Sequence, residues 1–517
     1  MSKSKSTASR SNKYFLLALA IVALCSLGIR ISRLAERPFH CDEAVQAVKF
    51  GNLLEEGHYE YDPQEYHGPS LYYLSLPIAW INGVDTLAEM NESQLRLLPV
   101  LFGTTLILLL VLAVDGIGWG GVLWAALLTG ISPFMVYFSR YYIQEMLLVF
   151  FSASAILCAW RYSRKRKAVW SVFTGVSLGM MFATKETCIL SWFALVMALL
   201  LVLLQGKKLK LLLEIPISHL ALAVFSAAFM AALFFSSFGT HPAGVIEAIL
   251  AFPHYFTRAG GEGHAYPWYN YLRLLFWHRE QGVLWSELLI LIPAIYGGVR
   301  AFLPRFRADS GLSRFLVFYT LILTVLYSAI PYKTPWLALG FLQPAIMLAG
   351  LGLAELWRDL NNVFARFVFG IAILLALVNL AQQTWRGSFY YAADERNPCA
   401  YSHTSKDLVR FVDQLHRIVA LAPDAKATGV KIVAPEYWPL PWYLRDFENV
   451  GYWHTIPTDP EAPVIITSPE YQEAIDDVVK GDYFKVLAGL RPGVVIYAMI
   501  RQDLWDAYLK EMAGVEQ

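Results

Sequence analysis

The chain has 517 residues, of which 56% are hydrophobic and only 16% are charged, with a formal net charge of +1 at pH 7. A soluble domain carries about 25% charged residues, so this composition excludes a soluble globular protein and reads as a polytopic membrane protein. A charge balance so close to zero gives no basis for a nucleic-acid partner.

The Ser/Lys-rich first dozen residues read as disordered. Apolar runs follow near 14–32, 97–114, 119–138, 145–162, 169–183, 188–204, 215–238, 283–301, 315–330, 335–354 and 364–384. Each is roughly long enough to cross hydrocarbon as a helix. None shows the period-two alternation of barrel strands, so the spacing predicts about 11 transmembrane helices. The first run starts basic, as a signal peptide does. No small-residue cleavage motif follows, and it is read as a retained anchor. The apolar segment Pro69 to Val84 is short and broken by Pro77, and is expected to lie in the outer interface.

Positive charge orients this array, because Lys and Arg in short loops stay cytoplasmic. Lys3, Lys5, Arg10 and Lys13 precede the first run; Arg161, Arg164, Lys165, Arg166 and Lys167 follow the fourth; Lys207, Lys208 and Lys210 follow the sixth. Arg300, Arg305, Arg307, Arg314, Arg358 and Arg366 continue the alternation. The N-terminus is thereby placed inside and the C-terminus outside.

Residues 1–389 are read as the membrane domain, with an exterior loop at 33–95 and an exterior lid loop at 239–282. Residues 390–517 contain more Pro, Asp and Lys and no spanning run, and are read as an exterior soluble α/β domain. Within it Ser405–Leu421 reads as an amphipathic helix, Val430–Ala434, Val464–Thr467 and Val494–Met499 as strands, and Arg491-Pro492-Gly493 as a turn. Of five cysteines only Cys41 and Cys399 fall outside the helices. A bridge between them requires a separation that sequence does not supply, and the reading is two free thiols.

Sorting polar residues by side leaves a rich exterior set. It holds the acid pair Asp42 and Glu43, His67, Arg140 with Glu145, Lys185 with Glu186, and Tyr332 with Lys333. A carboxylate beside a bilayer loses hydration and is retained where it has a partner or a task. Cations to hold an anionic group and carboxylates to accept a proton suit a lipid-linked phosphate whose reacting carbon faces Asp42. Bland readings stand beside these. Asp42 can cap a helix, Arg140 and Lys185 can snorkel or pair with Glu145 and Glu186, Tyr332 and Lys333 can belong to an interface belt, and His67 can order a Gly-Pro turn.

In the 239–282 loop, His241, His254 and His264 match no metal-ligand spacing. Glycines and the aromatic residues Tyr266, Trp268, Tyr269 and Tyr271 make that loop a lid that meets a sugar or lipid.

An acid pair in the first exterior loop, Arg140 five residues before Glu145, and Lys185 after the fifth helix together resemble the GT-C membrane glycosyltransferases, which include protein O-mannosyltransferases and lipid A aminoarabinose transferases. The strings DEAVQAVKFG, EYHGPSLYYL, TKET and PYKTPWL look like the flippase-activity-associated glycosyltransferase-like family of archaea and bacteria. That resemblance implies transfer of a sugar from a polyprenyl-phosphate donor, with inversion, to an exterior glycan, lipid or protein. It implies Asp42 as general base, Glu43 as the residue orienting it or the acceptor, and Arg140, Lys185, Tyr332 and Lys333 as donor-phosphate ligands. His67, Glu145, Glu186 and His264 complete the set as substrate-binding residues. An arginine preceding the acid pair would be Arg30 or Arg33. The chain departs from the mannosyltransferase pattern at Val45, where that pattern has histidine, and its 239–282 loop is too short for a β-trefoil module. No cofactor is expected; a divalent cation would only substitute for one of these side chains. The competing readings are a flippase or transporter for lipid-linked glycans and a non-catalytic scaffold.

Overall fold

The computed structural model describes residues 2–63, 67–253, 265–303, 308–425 and 428–514, with side chains from residue 12. The expectations attached to Glu65, Tyr66, His254, Gly260, Gly261, Gly263, His264, Arg305 and Arg307 lie outside the described residues.

The apolar runs become helices because lipid leaves backbone amides no partner but each other. In chain order these are α1 (Ser2–Ile31), α2 (Cys41–Glu56), α3 (Ser70–Asn82), α4 (Glu92–Leu109), α5 (Val114–Ile131) and α6 (Pro133–Phe138), followed by α7 (Glu145–Lys165), α8 (Ala168–Thr184), α9 (Cys188–Gln205), α10 (Ile217–Phe235) and the short α11 (Gly244–Leu250). Then come α12 (Asn270–Phe276), a hairpin of β1 (His278–Glu280) and β2 (Val283–Trp285), α13 (Leu288–Arg300), α14 (Ser310–Ala329), α15 (Leu339–Asp359) and α16 (Val363–Trp385). Among the described residues eight stretches are long and apolar enough to cross a membrane, and α8 and α13 are shorter apolar helices. The chain is a multi-pass membrane protein.

Two apolar runs need local correction, and a glycine marks the boundary between the runs at 97–114 and 119–138. The run at 119–138 breaks at Ser132-Pro133, where Pro opens α6 at a position that needs no amide. The run at 283–301 begins as strand β2 before α13 starts. The stretch Glu92–Ile131 is continuous in apolarity, but Gly118 at φ 72° and ψ 163° breaks the helix there. Only glycine adopts that geometry without strain.

Packing follows residue size. Along α15 and the turn before it, 89% of the apolar window is buried, against 6% for α16 and its extension, so α15 is the central post and α16 a peripheral one. Gly175 and Gly179 let α8 touch α10: a Cβ at either would run into the carbonyl of Ala223 or Ala227. This small-xxx-small contact is what brings helices together where lipid removes the hydrophobic driving force.

The basic loops gather at one end of the bundle. Arg161 pairs with Asp115, Arg164 reaches Asp309 at 3.5 Å, and Arg300 lies 3.4 Å from Asp359 and 3.7 Å from Glu355. The acid pair and its neighbours form a separate network among the opposite ends of the same helices.

Beyond α16 a five-stranded sheet forms in the order β4-β3-β5-β7-β6, with β3 (Val430–Val433), β4 (Val450–Trp453), β5 (Val464–Thr467), β6 (Tyr483–Arg491) and β7 (Val494–Arg501). Strands β4, β3 and β5 are parallel, while β7 runs antiparallel to β5 and β6. The amphipathic helix expected at 405–421 is Lys406–Ala420, capped by Ser405, and it packs Leu408, Phe411, Val412 and Leu415 on the sheet. The expected turn at 491–493 joins β6 to β7 through Gly493 at φ 77°. Strands β4 and β6 were not predicted; alternation is blurred in β4, all of whose residues are half-buried.

Candidate functional site

The site begins at the N-terminus of α2. The sequence suggests Asp42 as its cap, but the structure gives that role to His40: the Asp42 amide donates to His40 Nδ1 at 3.0 Å, and the His40 amide donates to Glu43 Oε2 at 3.1 Å. This reciprocal capping box points the two acids in different directions. The Asp42 side chain is 43% exposed and has no Arg or Lys partner among the described residues, whereas Glu43 is fully buried.

Glu43 sits in a cage of donors. Arg96 grips it twice, Nε to Oε1 at 2.7 Å and Nη2 to Oε2 at 2.6 Å. Arg37 Nη2 reaches Oε1 at 3.1 Å, and the Tyr142 amide donates to Oε1 at 2.9 Å. Burial pushes the Glu43 carboxyl up, but the two guanidinium groups outweigh it and hold the group at about 2. Arg96 also donates to the carbonyls of Leu34, Arg37 and Pro38, and Arg37 donates to the Arg140 carbonyl at 2.7 Å while stacking 4.6 Å from the Tyr141 ring. This caged carboxylate therefore fixes the segment leading into Asp42. It orients Asp42 through the backbone and meets no solvent itself.

Two of the expected phosphate ligands are committed to backbone. Arg140 Nη1 donates to the carbonyls of Ile29, Arg30 and Ser32, and Nη2 to that of Arg33. It thus caps the C-terminus of α1, the favourable end for a cation. Burial and the neighbouring Arg37, Arg96 and Arg30 push it down to about 9. The Lys333 ammonium donates to the Tyr266 carbonyl at 3.0 Å and also to that of Ile330. Arg30 is buried and donates to the carbonyls of Thr129 and Gly130 at the end of α5, while Arg33 pairs with Glu36 at the surface.

The other cation-acid pairs meet across helices. Lys185 forms a buried ion pair with Glu145, and burial, which lowers its pKa, is outweighed by Glu145 and Glu186, which keep it protonated. His67 Nδ1 lies 2.7 Å from Glu186. Gly68 permits that meeting, because a Cβ there would strike the Ala183 carbonyl; Ser70 and Thr184 then bond at 2.8 Å. Tyr332 stands near Lys185. Gln144, beside Glu145, donates to Gln46 on α2 at 2.6 Å, linking this group to the helix that carries Asp42.

The segment after α16 closes over the acid loop. Phe39 donates its amide to the Tyr443 hydroxyl at 2.8 Å, accepts from Thr404 Oγ1 at 2.6 Å, and stacks on Trp442 at 4.3 Å. His40 Nε2 donates to the Tyr401 carbonyl at 3.0 Å, because its Nδ1 already accepts from Asp42. Burial, with Arg37 and His40 nearby, holds His403 well below the usual imidazole range, and burial lowers His40 as well. In the unfolded chain these rings take up a proton near pH 6.5; in the folded chain they stay neutral to lower pH. Stability contributed by the neutral rings is therefore complete above about 6.5 and is lost as pH falls below it. His403→Leu is expected to flatten the pH dependence of unfolding between about 6.5 and 5, measured by thermal melts in detergent.

His40, Cys41 and Asp42 place ligand-type atoms within 4.8 Å of one another. The imidazole is already used at both nitrogens, and burial raises the Cys41 thiol well above its usual range. All five cysteines are free, Cys41 and Cys399 included.

Sequence reasoning missed Arg37, Arg96, His40, Tyr401 and the Phe39 clamp. Arg96 carried a signal, a charge inside the run Leu95-Arg96-Leu97-Leu98, where a buried ion needs a counter-ion. The clamp carried none, as its partners lie more than 360 residues apart.

Residues 10–241 match the family model described as dolichyl-phosphate-mannose-protein mannosyltransferase. No curated protein sequence matches the chain. Among solved structures, ArnT from Cupriavidus metallidurans in the apo state is similar with a TM-score of 0.67 at 14% identity, over 96% of this chain and 99% of that one. The same protein bound to undecaprenyl phosphate gives 0.63 at 14% identity over 95% and 99%. The archaeal oligosaccharyltransferase AglB from Archaeoglobus fulgidus, in complex with an inhibitory peptide and a dolichol-phosphate, gives 0.57 at 13% identity over 96% and 77%. The chain has the fold of these membrane proteins, the GT-C fold.

Proposed function

We propose that the chain is an integral membrane glycosyltransferase that moves a sugar from a polyprenyl-phosphate donor to an exterior acceptor, with inversion. The observation that carries this reading is the contrast within the acid pair: Glu43 is locked between two arginines, while Asp42 presents an open carboxylate on the same rigid turn. The chain shares its fold with proteins solved with undecaprenyl phosphate and dolichol-phosphate, which supports a lipid-phosphate donor. The positive loops at the opposite end support a site facing the exterior of the plasma membrane, with the N-terminus cytoplasmic.

Asp42 accepts the proton of the acceptor hydroxyl as its oxygen attacks the anomeric carbon, and the bond to the phosphate oxygen breaks with its electron pair leaving on the phosphate. Lys185, aided by Tyr332 and the His67–Glu186 pair, holds the charge that develops there. Arg140 and Lys333 keep the surrounding backbone in place. This chemistry asks for no resident cofactor.

Purified chain in liposomes, given a polyprenyl-phosphate hexose or pentose and a membrane acceptor extract, is expected to release polyprenyl phosphate and form a glycosidic product. Transport of the donor without any product would contradict the reading. Lys185→Met combined with Glu145→Gln removes the ion pair without stranding a buried carboxylate. That variant is expected to lower transfer on the order of 10²-fold, the usual cost of losing one charge-stabilising donor.

A further inference from the structure

A cavity of about 320 Å³ opens between the segment Tyr266–Glu280, the Lys333–Pro335 turn and residues 395–402. Its volume sits at the lower end of the ~300–1,000 Å³ range of small-molecule sites, room for a mono- or disaccharide. Tyr269, Arg273 and Glu395 stand exposed along its lining, and Glu280 is half-buried there. Deeper in, His278 is 7% exposed, and its Nδ1 has no hydrogen-bond partner among the described residues.

The charges decide the ligand class. Arg273 and Lys333 balance Glu280 and Glu395 in charge among the described residues, and the Lys333 ammonium is tied to carbonyls, so the cavity has no net positive charge to favour an anion such as a phosphate. Carboxylates, amides and a neutral imidazole pair with hydroxyl groups, and tyrosine rings cover the C–H faces of a sugar ring. The cavity also borders the reacting end. Tyr401 lines it, while the carbonyl of that residue holds His40 and its phenol feels the Asp42 charge. Its outer wall comes from residues after α16 and includes Pro492 on the β6–β7 turn, the side from which a water-borne glycan arrives.

We propose that this cavity is the acceptor subsite, taking the terminal pyranose of a neutral exterior glycan and directing one hydroxyl past Tyr401 to Asp42. The assignment rests on the transferase reading above and adds the acceptor's chemical class to it.

The test uses the full chain in detergent and saturation-transfer NMR with the methyl glycosides of glucose, galactose, mannose and N-acetylglucosamine as probes. At least one glycoside is expected to receive saturation from the wild type and to lose it at least 5-fold in Tyr269→Ala and in Glu395→Ala, both at exposed positions that leave the fold intact. Asp42→Asn is expected to keep it. Polyprenyl-phosphate binding, measured on the same samples, is expected to be unchanged in Tyr269→Ala and Glu395→Ala. No saturation on the wild type from any probe, or equal saturation in those two variants, would overturn the subsite. Loss of polyprenyl-phosphate binding by the wild type would instead remove the transferase reading beneath it, with the glycoside signal still scored separately.

Discussion

Asp42→Asn is expected to lower sugar transfer roughly 10²–10⁴-fold, the contribution of a positioned general base, while leaving the fold and donor binding intact. The structure explains why both halves of that expectation hold together. Asp42 occupies the first turn of α2, where its charge suits the helix dipole, but the turn is capped by His40 and not by Asp42 itself. Its side chain is 43% exposed and pairs with no Arg or Lys among the described residues. An amide of the same shape therefore breaks no ion pair and strands no buried charge. It removes only the capacity to accept a proton. Rates of product formation and thermal melts on the same preparation check the two halves, and transfer at the wild-type rate would reject Asp42 as the base.

Glu43→Gln, one position further on, is expected to act in the opposite way, through stability. The neutral amide leaves Arg37 and Arg96 buried beside each other without their shared counter-ion. Breaking a buried ion pair on one side costs about 3–5 kcal/mol, comparable with much of the ~5–15 kcal/mol that holds a typical fold. The loss should spread beyond the pair, because Arg96 also fixes the carbonyls of Leu34, Arg37 and Pro38 and so the path into α2. Acid should mimic the substitution. The carboxyl is held at about 2 against an ordinary 4.5, so its stabilisation is complete above about 4.5 and disappears as pH falls towards 2. Thermal unfolding in detergent reads both effects. Arg96→Met, which leaves Glu43 with Arg37 alone, serves as the second variant, and an unchanged melting temperature in both would contradict the cage.

The two neighbours show what a sequence can and cannot display. The fold was legible because lipid imposes one rule on every apolar run, and the charge alternation of the loops placed the polar residues at one end. Lys185, Glu145 and Glu186 were legible as candidates because they fall in very short connections, whereas His67 lies in the long first exterior loop and reads there as ordering a Gly-Pro turn. The division of labour between Asp42 and Glu43 was not. It depends on Arg37 six residues before Glu43 and Arg96 on another helix, and on His40 using its ring to cap α2. Arg140 reads in sequence as a phosphate ligand because it is a cation at a helix end; the structure shows that the same property makes it a cap for the carbonyls of α1. The clamp on Phe39 by Thr404, Trp442 and Tyr443 is a consequence of tertiary folding that no local pattern encodes.

The central claim is that the end of the bundle bearing Asp42 and Lys185 is where a polyprenyl-phosphate sugar reacts. Cryo-electron microscopy of the chain with a polyprenyl phosphate tests it most directly. The account predicts phosphate density within hydrogen-bond reach of Lys185, with the side of the phosphate that carries the sugar turned towards Asp42. Density at the opposite end, among Arg161, Arg300 and Arg358, or a phosphate remote from both residues, would contradict it.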